Sequence, residues 1–429
     1  DDQAWTDFGF MGHPVIQTPS LDRLAQESAT YLRGYVPTAL CRPSLATMIT
    51  GLYPHQHRIT GNDPAPPQGV AGAALPKDAG IRQQRAQLIR NIDRVATIPK
   101  LLAEHGYLSH QSGKWWEGNF SRGGFTHGMT HGDPDRGGRH GDEGLKIGRE
   151  GLKPVFDFID EAGEQPYFLW YAPFLPHSPH NPPRRLLEKY QAPGRPIQLA
   201  RYYAMCEWLD ETCGQLLDYV DQKDQRDNTI VIFVVDNGWI QRTPQTQVPE
   251  GWRRSFAPRS KQSPFDGGTR TPIMIRWPQK VVPGLRQHLA SSIDIAPTVL
   301  RACGLEPPAQ MEGIDLVDQS SSKVPLRSHL LGEGYAHDIA DLADPEKTLL
   351  YRWCIEENWK LLVTYDGTIG RNKSLHPQTA STELLFDLAA DPHEHQDLAA
   401  EQPGVVKRLQ QHLEKSWQLK TAAPLPVKQ

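Results

Sequence analysis

Cysteine is scarce in this sequence. Cys41, Cys206, Cys213, Cys303 and Cys354 are five thiols in 429 residues. None forms a CxxC pair, which excludes a disulfide scaffold or a cysteine-based zinc cluster. Cys206 and Cys213 fall two turns apart in a helix-like segment, a setting for buried free thiols. No stretch of eighteen apolar residues occurs, so no membrane-spanning segment is expected. A net charge of −4 and an isoelectric point near 6.5 provide no basic field, so nucleic acid is not an expected partner. Internal repeats and low-complexity tracts are missing, as are an initiator methionine and a signal peptide: the sequence opens on Asp1-Asp2.

What is present reads first as alternating helix and strand. Thr18-Pro19-Ser20 starts a helix whose Leu21, Leu24, Ala25 and Ala29 keep helical spacing through residues 18–33. Leu45, Met48, Ile49 and Leu52 mark a second helix after Cys41, with Gly51 near its end. Residues 62–80 read as a loop, and Thr97 caps a helix to His105 that carries Pro99 in its first turn and leads into a strand before Gly113. Residues 121–144, rich in Gly, His and Asp, read as a surface loop. Phe168–Tyr171 and Ile230–Val235 are apolar runs suited to strands buried on both faces. Such alternation to about residue 310 predicts an α/β doubly wound domain. Beyond about 325, strands at Thr348–Trp353, Trp359–Tyr365 and Leu384–Asp387 and a helix from Pro403 to about Trp417 predict a small α+β subdomain. The expected division is 1–320 and 321–429.

Two polar sets carry chemistry. Asp1-Asp2 and Asp236-Asn237, the latter after an apolar strand, offer only oxygen ligands at strand ends. That set suits Ca²⁺, or Mg²⁺, rather than zinc. Asp236-Asn237-Gly238 read alone is a turn. Cys41, at a helix N-terminus, is an activated thiolate or a buried structural thiol.

Leu40-Cys41-Arg42-Pro43-Ser44-Leu45-Ala46-Thr47-Met48-Ile49-Thr50-Gly51 resembles the signature of type I sulfatases, of the alkaline-phosphatase-like superfamily. The resemblance extends through Gly113-Lys114-Trp115-Trp116, Pro176-His177-Ser178-Pro179-His180, Lys261 ahead of Phe265-Asp266-Gly267-Gly268-Thr269-Arg270, and Leu385-Phe386-Asp387-Leu388. It implies an α/β fold with a large, mostly parallel sheet flanked by helices. It also implies a maturation enzyme that oxidises Cys41 to formylglycine, whose hydrate attacks sulfur with one hydroxyl and expels sulfate with the other. The metal ligands would be Asp1, Asp2, Asp236 and Asn237. Lys114 would hold sulfate oxygens, while His177 and Lys261 would stabilise or protonate the leaving alcohol. His180, Arg42, Asn62 and Arg270 are candidate substrate contacts. In the family the acidic pair follows a buried strand that this sequence does not contain, and any secretion signal would lie upstream of it. The resemblance makes a periplasmic or extracellular location the expectation.

Two positions depart from the family pattern: Leu45 replaces an arginine that neutralises charge near the nucleophile, and Trp116 replaces a histidine that takes a proton when sulfate leaves. Arg42 is one candidate replacement for the lost charge. Arg242, Arg253, Arg254, Arg259 and Trp252 read as either a solvated loop or a lid gripping anionic groups. His55, His57, Asn62 and Asp63 are candidate contacts to sugar hydroxyls, which favours a sulfated carbohydrate substrate. The rival readings are a phosphonate or phosphodiester hydrolase of the same superfamily and an inactive sulfated-glycan-binding protein.

Overall fold

The computed structural model describes residues 1–66, 78–317, 326–365 and 382–420. Its larger part is α/β. The strands His127–Gly128, Leu108–Gly113 and Tyr167–Ala172 form a parallel sheet in that order. A second sheet takes the order Val231–Phe233, Arg270–Arg276, Ala29–Tyr35, Gly284–Ser291. Only its last pair is parallel.

Helices cover both faces of these sheets. Ile49, Ile98, Leu102 and Val299, from three helices, pack with Phe168, Trp170, Ile232 and Val234 on one side. On the other, Val155, Ile159 and Val220 meet Tyr167, Leu169 and Tyr171. Odd and even residues of Tyr167–Ala172 therefore face opposite helix layers, as a period of two requires. This strand and Val231–Phe233 remain half-buried throughout rather than fully buried, because each is the edge of its sheet. Asp1–Gln3 lie beside the carboxyl ends of both edges, with Gln3 N donating to Asn237 O at 3.3 Å.

The first helix stops at Gln26, short of the expected residue 33. Ala29, Thr30 and Tyr31 instead pair with Ile275, Met274 and Ile273 on one side and with Gly284–Arg286 on the other. Two ladders of backbone hydrogen bonds outweigh the local helical spacing. The helix Cys41–Thr50 ends as expected on Gly51, whose φ of +66° lets its N–H reach Thr47 O at 2.8 Å. Thr97 caps Ile98–Ala103. Residues 67–77 of the expected loop lie outside the described residues, and the rest of that span ends in a helix, Ala79–Asp93, capped by Asp78.

The C-terminal part is an antiparallel sheet in the order Glu383–Asp387, Trp359–Thr364, Leu349–Glu356, His329–Tyr335. Val406, Leu409 and Leu413 of the helix Pro403–Ser416 pack on it at helical spacing. The expected boundary at 320/321 falls within 318–325, outside the described residues. A buried lysine, Lys360, ties the two parts by bonding Asp266 at 2.8 Å and Glu394 at 2.9 Å.

Candidate active site

Cys41 is the first residue of its helix and its side chain is buried, so its sulfur lies at the positive end of the helix dipole. Its thiol donates to Asp1 Oδ1 at 3.7 Å. Lys114 follows the parallel strand Leu108–Gly113. Gly113 has φ +83°, and a Cβ there would lie 1.8 Å from Ala172 O, so only glycine lets the chain turn at that point. The turn aims Lys114 Nζ at Asp1 Oδ2, 2.7 Å away, and within 3.9 Å of Asp236 Oδ2. Lys261 Nζ bonds Asp2 Oδ1 at 2.6 Å, and His177 Nε2 stands 3.4 Å from Asp2 Oδ2. Asp2 itself has φ +64°, a left-handed backbone that costs a non-glycine residue about 1–3 kcal/mol and is typical of functional sites.

Charge coupling here is strong. Burial alone would raise the Asp2 pKa, but the Lys261 ammonium, with Lys114, pulls it well below the usual carboxylate range. Burial would likewise lower Lys261, yet the negative charge of Asp2 above all, with Asp236, holds its ammonium above its ordinary value. For His177 burial wins: its pKa falls well below 6.5 despite Asp2, with Lys261 and Lys114 adding to the drop. Its Nδ1 lies 2.7 Å from Ser178 O and so carries the ring proton. That leaves the Nε2 lone pair facing the Asp2 carboxylate.

The donor set fits a hard cation. Asp2 Oδ2, Asp236 Oδ1 and Oδ2, and Asn237 Oδ1 are buried and lack hydrogen-bond partners. Each of these buried oxygens carries a desolvation penalty of about 1–3 kcal/mol when it has no partner. Asn237 Nδ2 donates to Asp2 Oδ1 at 2.6 Å, which turns its amide oxygen toward the same region. Asp1, Asp2, Cys41 and His177 also place an atom each within 4.8 Å of one another. With the unpartnered oxygens of Asp236 and Asn237 added, the donors are mostly oxygen, which suits Ca²⁺ or Mg²⁺.

Above these residues opens a cleft of about 210 Å³, lined by Cys41, Lys114, His177 and Lys261. Arg139, Arg254, His140 and His337 also line it, with no Asp or Glu among its described lining residues. Trp116, Trp239 and Phe256 add aromatic surface.

The sulfatase family model matches residues 1–305. A model described as "N-sulphoglucosamine sulphohydrolase, C-terminal" matches residues 259–420. The chain belongs to the sulfatase family. The dog N-acetylgalactosamine-6-sulfatase is 29% identical over 362 residues, covering 74% of this chain but only 64% of that protein. A structure solved in complex with its substrate D-glucosamine-2-N,6-O-disulfate superposes with a TM-score of 0.67 at 19% identity, covering 97% of this chain and 95% of the other. The phosphonate monoester hydrolase of Agrobacterium radiobacter gives 0.65 at 20% identity, covering 97% and 93%. These two likenesses concern the alkaline-phosphatase-like fold.

Within this chain the two motif departures sit close to Cys41. Leu45 packs against the hydrophobic core and brings no charge. Arg42 does not replace the lost arginine as a cleft cation. Its guanidinium is buried in a bidentate pair with Glu117 at 2.7 and 2.6 Å and donates to Asn62 O at 3.2 Å. Asn62 lines the cleft, but its Oδ1 accepts from Arg42 N at 3.1 Å and so serves the helix N-terminus. Arg270 does not reach the cleft lining: it donates to Leu32 O and lies over Trp5. His180 also lies outside the lining, packed against Tyr202 and Trp239, with a buried, unpartnered Nε2.

The other candidates sort equally clearly. His55 stacks on Trp417 and pairs with Glu333, and His57 is buried against Thr47. Asp63 accepts from both Arg85 and Arg139. Trp252 is core rather than lid, with Nε1 donating to Phe256 O. Of the arginine-rich stretch, Arg254 alone lines the cleft among the described residues. Arg139, His140 and His337 escaped the sequence reading. The Gly/His-rich composition of residues 121–144 was the one available signal for Arg139 and His140, and nothing local marks His337. No helix among the described residues is long and apolar enough to cross a membrane.

Proposed function

We propose that the protein is a sulfuric ester hydrolase of sulfated carbohydrates, with residue 41 as its nucleophile after conversion of Cys41 to formylglycine by a maturation enzyme. One observation carries the reading: a cleft whose lining joins Cys41 to four cationic side chains, with unpartnered oxygens below it. A cation held by Asp1, Asp2, Asp236 and Asn237 would supply Lewis-acid polarisation of a sulfate oxygen and of the attacking hydroxyl. The hydrated aldehyde at position 41 would supply that hydroxyl and a second one to expel sulfate.

The chain's own groups do the rest. Lys114, fixed by Asp1, binds sulfate oxygens. Lys261 keeps its proton and can give it to the oxygen that departs, whereas His177 Nε2 must first take up a proton before it can serve the same oxygen. A positioned acid of this kind contributes about 10²–10⁴-fold in rate. Trp239 and Phe256 offer apolar faces to a pyranose ring. Support for a carbohydrate comes from the sulfatase relative and the disulfated glucosamine complex named above.

The likeness to a phosphonate hydrolase favours a second reading. Matched aryl sulfate, aryl phosphonate and sulfated monosaccharide substrates separate the two, with free sulfate and free sugar as readouts. Fastest release from the phosphonate would replace the proposal. Tight binding of sulfated sugar with no turnover, together with an unmodified Cys41 by mass spectrometry, would make the protein a glycan-binding relative.

A further inference from the structure

We propose that His140 is the base that accepts the proton as sulfate leaves residue 41, in place of the motif histidine that Trp116 has displaced. This inference rests on the proposed function. His140 lines the same cleft as Cys41, Lys114 and His177, and its ring lies 5.1 Å from that of Trp116. Phe174 joins the two imidazoles, with its centroid 5.6 Å from His140 and 4.3 Å from His177. The Nδ1 of His140 is buried and has no hydrogen-bond partner. An orphaned ring nitrogen in a cationic cleft is costly unless a reacting proton uses it.

The loop around His140 is held too tightly to be a casual surface segment. Arg139 lies 4.7 Å from the centroid of Trp116, and its Nε donates to both Asp63 oxygens at 3.0 Å. The carbonyl of His140 accepts from Trp115 N at 3.3 Å. Gly141 O accepts from Thr130 Oγ1 at 3.0 Å. Asp142 gathers the backbone N–H groups of His131, Gly132 and Glu143. Residues 139–142 are therefore each pinned, and the pinned segment delivers one imidazole to the cleft. Burial first, then Arg139 and Lys114, push its pKa down to about 3, with Asp63 opposing and Lys261 adding to the shift. The ring is therefore unprotonated across the physiological range in the free protein, and the negative charge of a sulfate ester carried on residue 41 is what would raise its affinity for a proton.

The step balances without a further reagent. The O–H bond of the second hydroxyl on residue 41 breaks and its proton passes to the imidazole nitrogen. The freed electron pair forms the C=O bond, and the C–O bond to sulfate breaks with sulfate keeping its pair. His140 then returns the proton to water.

Rapid-mix kinetics with an aryl sulfate, read by alcohol release, sulfate release and mass spectrometry of the peptide containing residue 41, test this. For His140→Gln we expect a normal alcohol burst, a sulfated residue 41 that accumulates, and sulfate release slowed by about 10²–10⁴-fold. For His140→Ala we expect added imidazole to restore part of that rate. Melting temperature and the oxidation state of residue 41 establish that both variants are folded and matured. Parental sulfate release from H140Q overturns the inference. So does equal slowing of both phases without a sulfated peptide, which would make His140 a binding or packing group. If H140Q does not fold, H140A with and without imidazole decides the same question, and absence of rescue rejects a base. A parent protein that releases no sulfate overturns the proposed function itself, and the inference falls with it.

Discussion

Replacing Arg42 by methionine isolates what the guanidinium beside Cys41 does. Arg42 and Glu117 have side chains only 3% and 4% exposed, and their two charge-assisted bonds measure 2.7 and 2.6 Å. Removing one partner leaves a carboxylate buried without compensation, which costs about 3–5 kcal/mol. Loss of the bond to Asn62 O adds about 1 kcal/mol. An exposed pair would cost at most about 1 kcal/mol, so the measurement separates the two cases. Methionine at both positions removes both charges and keeps most of the volume, and buried pairs treated in this way come out near neutral. Urea unfolding with an unchanged denaturant slope is the assay. We expect R42M to lose several kcal/mol and R42M/E117M to recover nearly all of it. Turnover should follow stability, because the pair braces the nucleophile's helix against Gly113–Gly118 and does not face the cleft. A double variant that is as stable as the parent yet catalytically silent would refute this reasoning. It would mean that the charge of Arg42, rather than its bracing, serves the reaction.

Three other outcomes follow from the same geometry. Cys41→Ala should abolish sulfate release while leaving the circular dichroism spectrum and melting temperature unchanged; residual turnover would remove residue 41 from the chemistry. Asp236→Ala should erase the upward shift in melting temperature that Ca²⁺ gives the parent, worth about 2.7 kcal/mol at a hundredfold excess over Kd, and should erase activity too; full activity in the presence of chelator would reject the metal assignment. Glu394 is pushed up to about 7 by burial, with Lys360 opposing and Asp266 adding to the rise. Its folded pKa lies above the unfolded value, so the folded state holds a proton that the unfolded state releases. Its contribution to stability is full below about pH 4.5 and declines as pH rises toward 7. Glu394→Gln should flatten the unfolding free energy across that window, and an unchanged slope would show that Glu394 does not titrate there.

The sequence was most legible where local chemistry suffices. Cys41 at a helix start, Asp236-Asn237 after an apolar strand, and the strands near 170, 232, 352 and 361 follow from short-range pattern, and the structure has them. The helix expected through residue 33 failed because Ala29–Tyr35 answers to two distant strands. Roles were less legible than residue types. Arg42 adjoins Cys41 in sequence but is neutralised by Glu117, 75 positions away. Arg270 sits inside a family motif but spends its charge on Leu32 and Trp5.

His140 and Arg139 show the reverse. Neither belongs to a recognisable motif, and they enter the cleft because Asp63 and Asp142 hold their loop from two sides. A side chain's function depends on which groups lie within hydrogen-bonding reach, and sequence spacing reports that only inside one helix or strand. The two motif departures at Leu45 and Trp116 therefore carry little weight toward inactivity when read alone. The cleft retains two lysines and keeps three imidazoles, one with a buried nitrogen unpartnered. Charges buried side by side cost stability without substrate or metal to offset them. A chain drifting away from catalysis would shed that cost first, and this one has kept it.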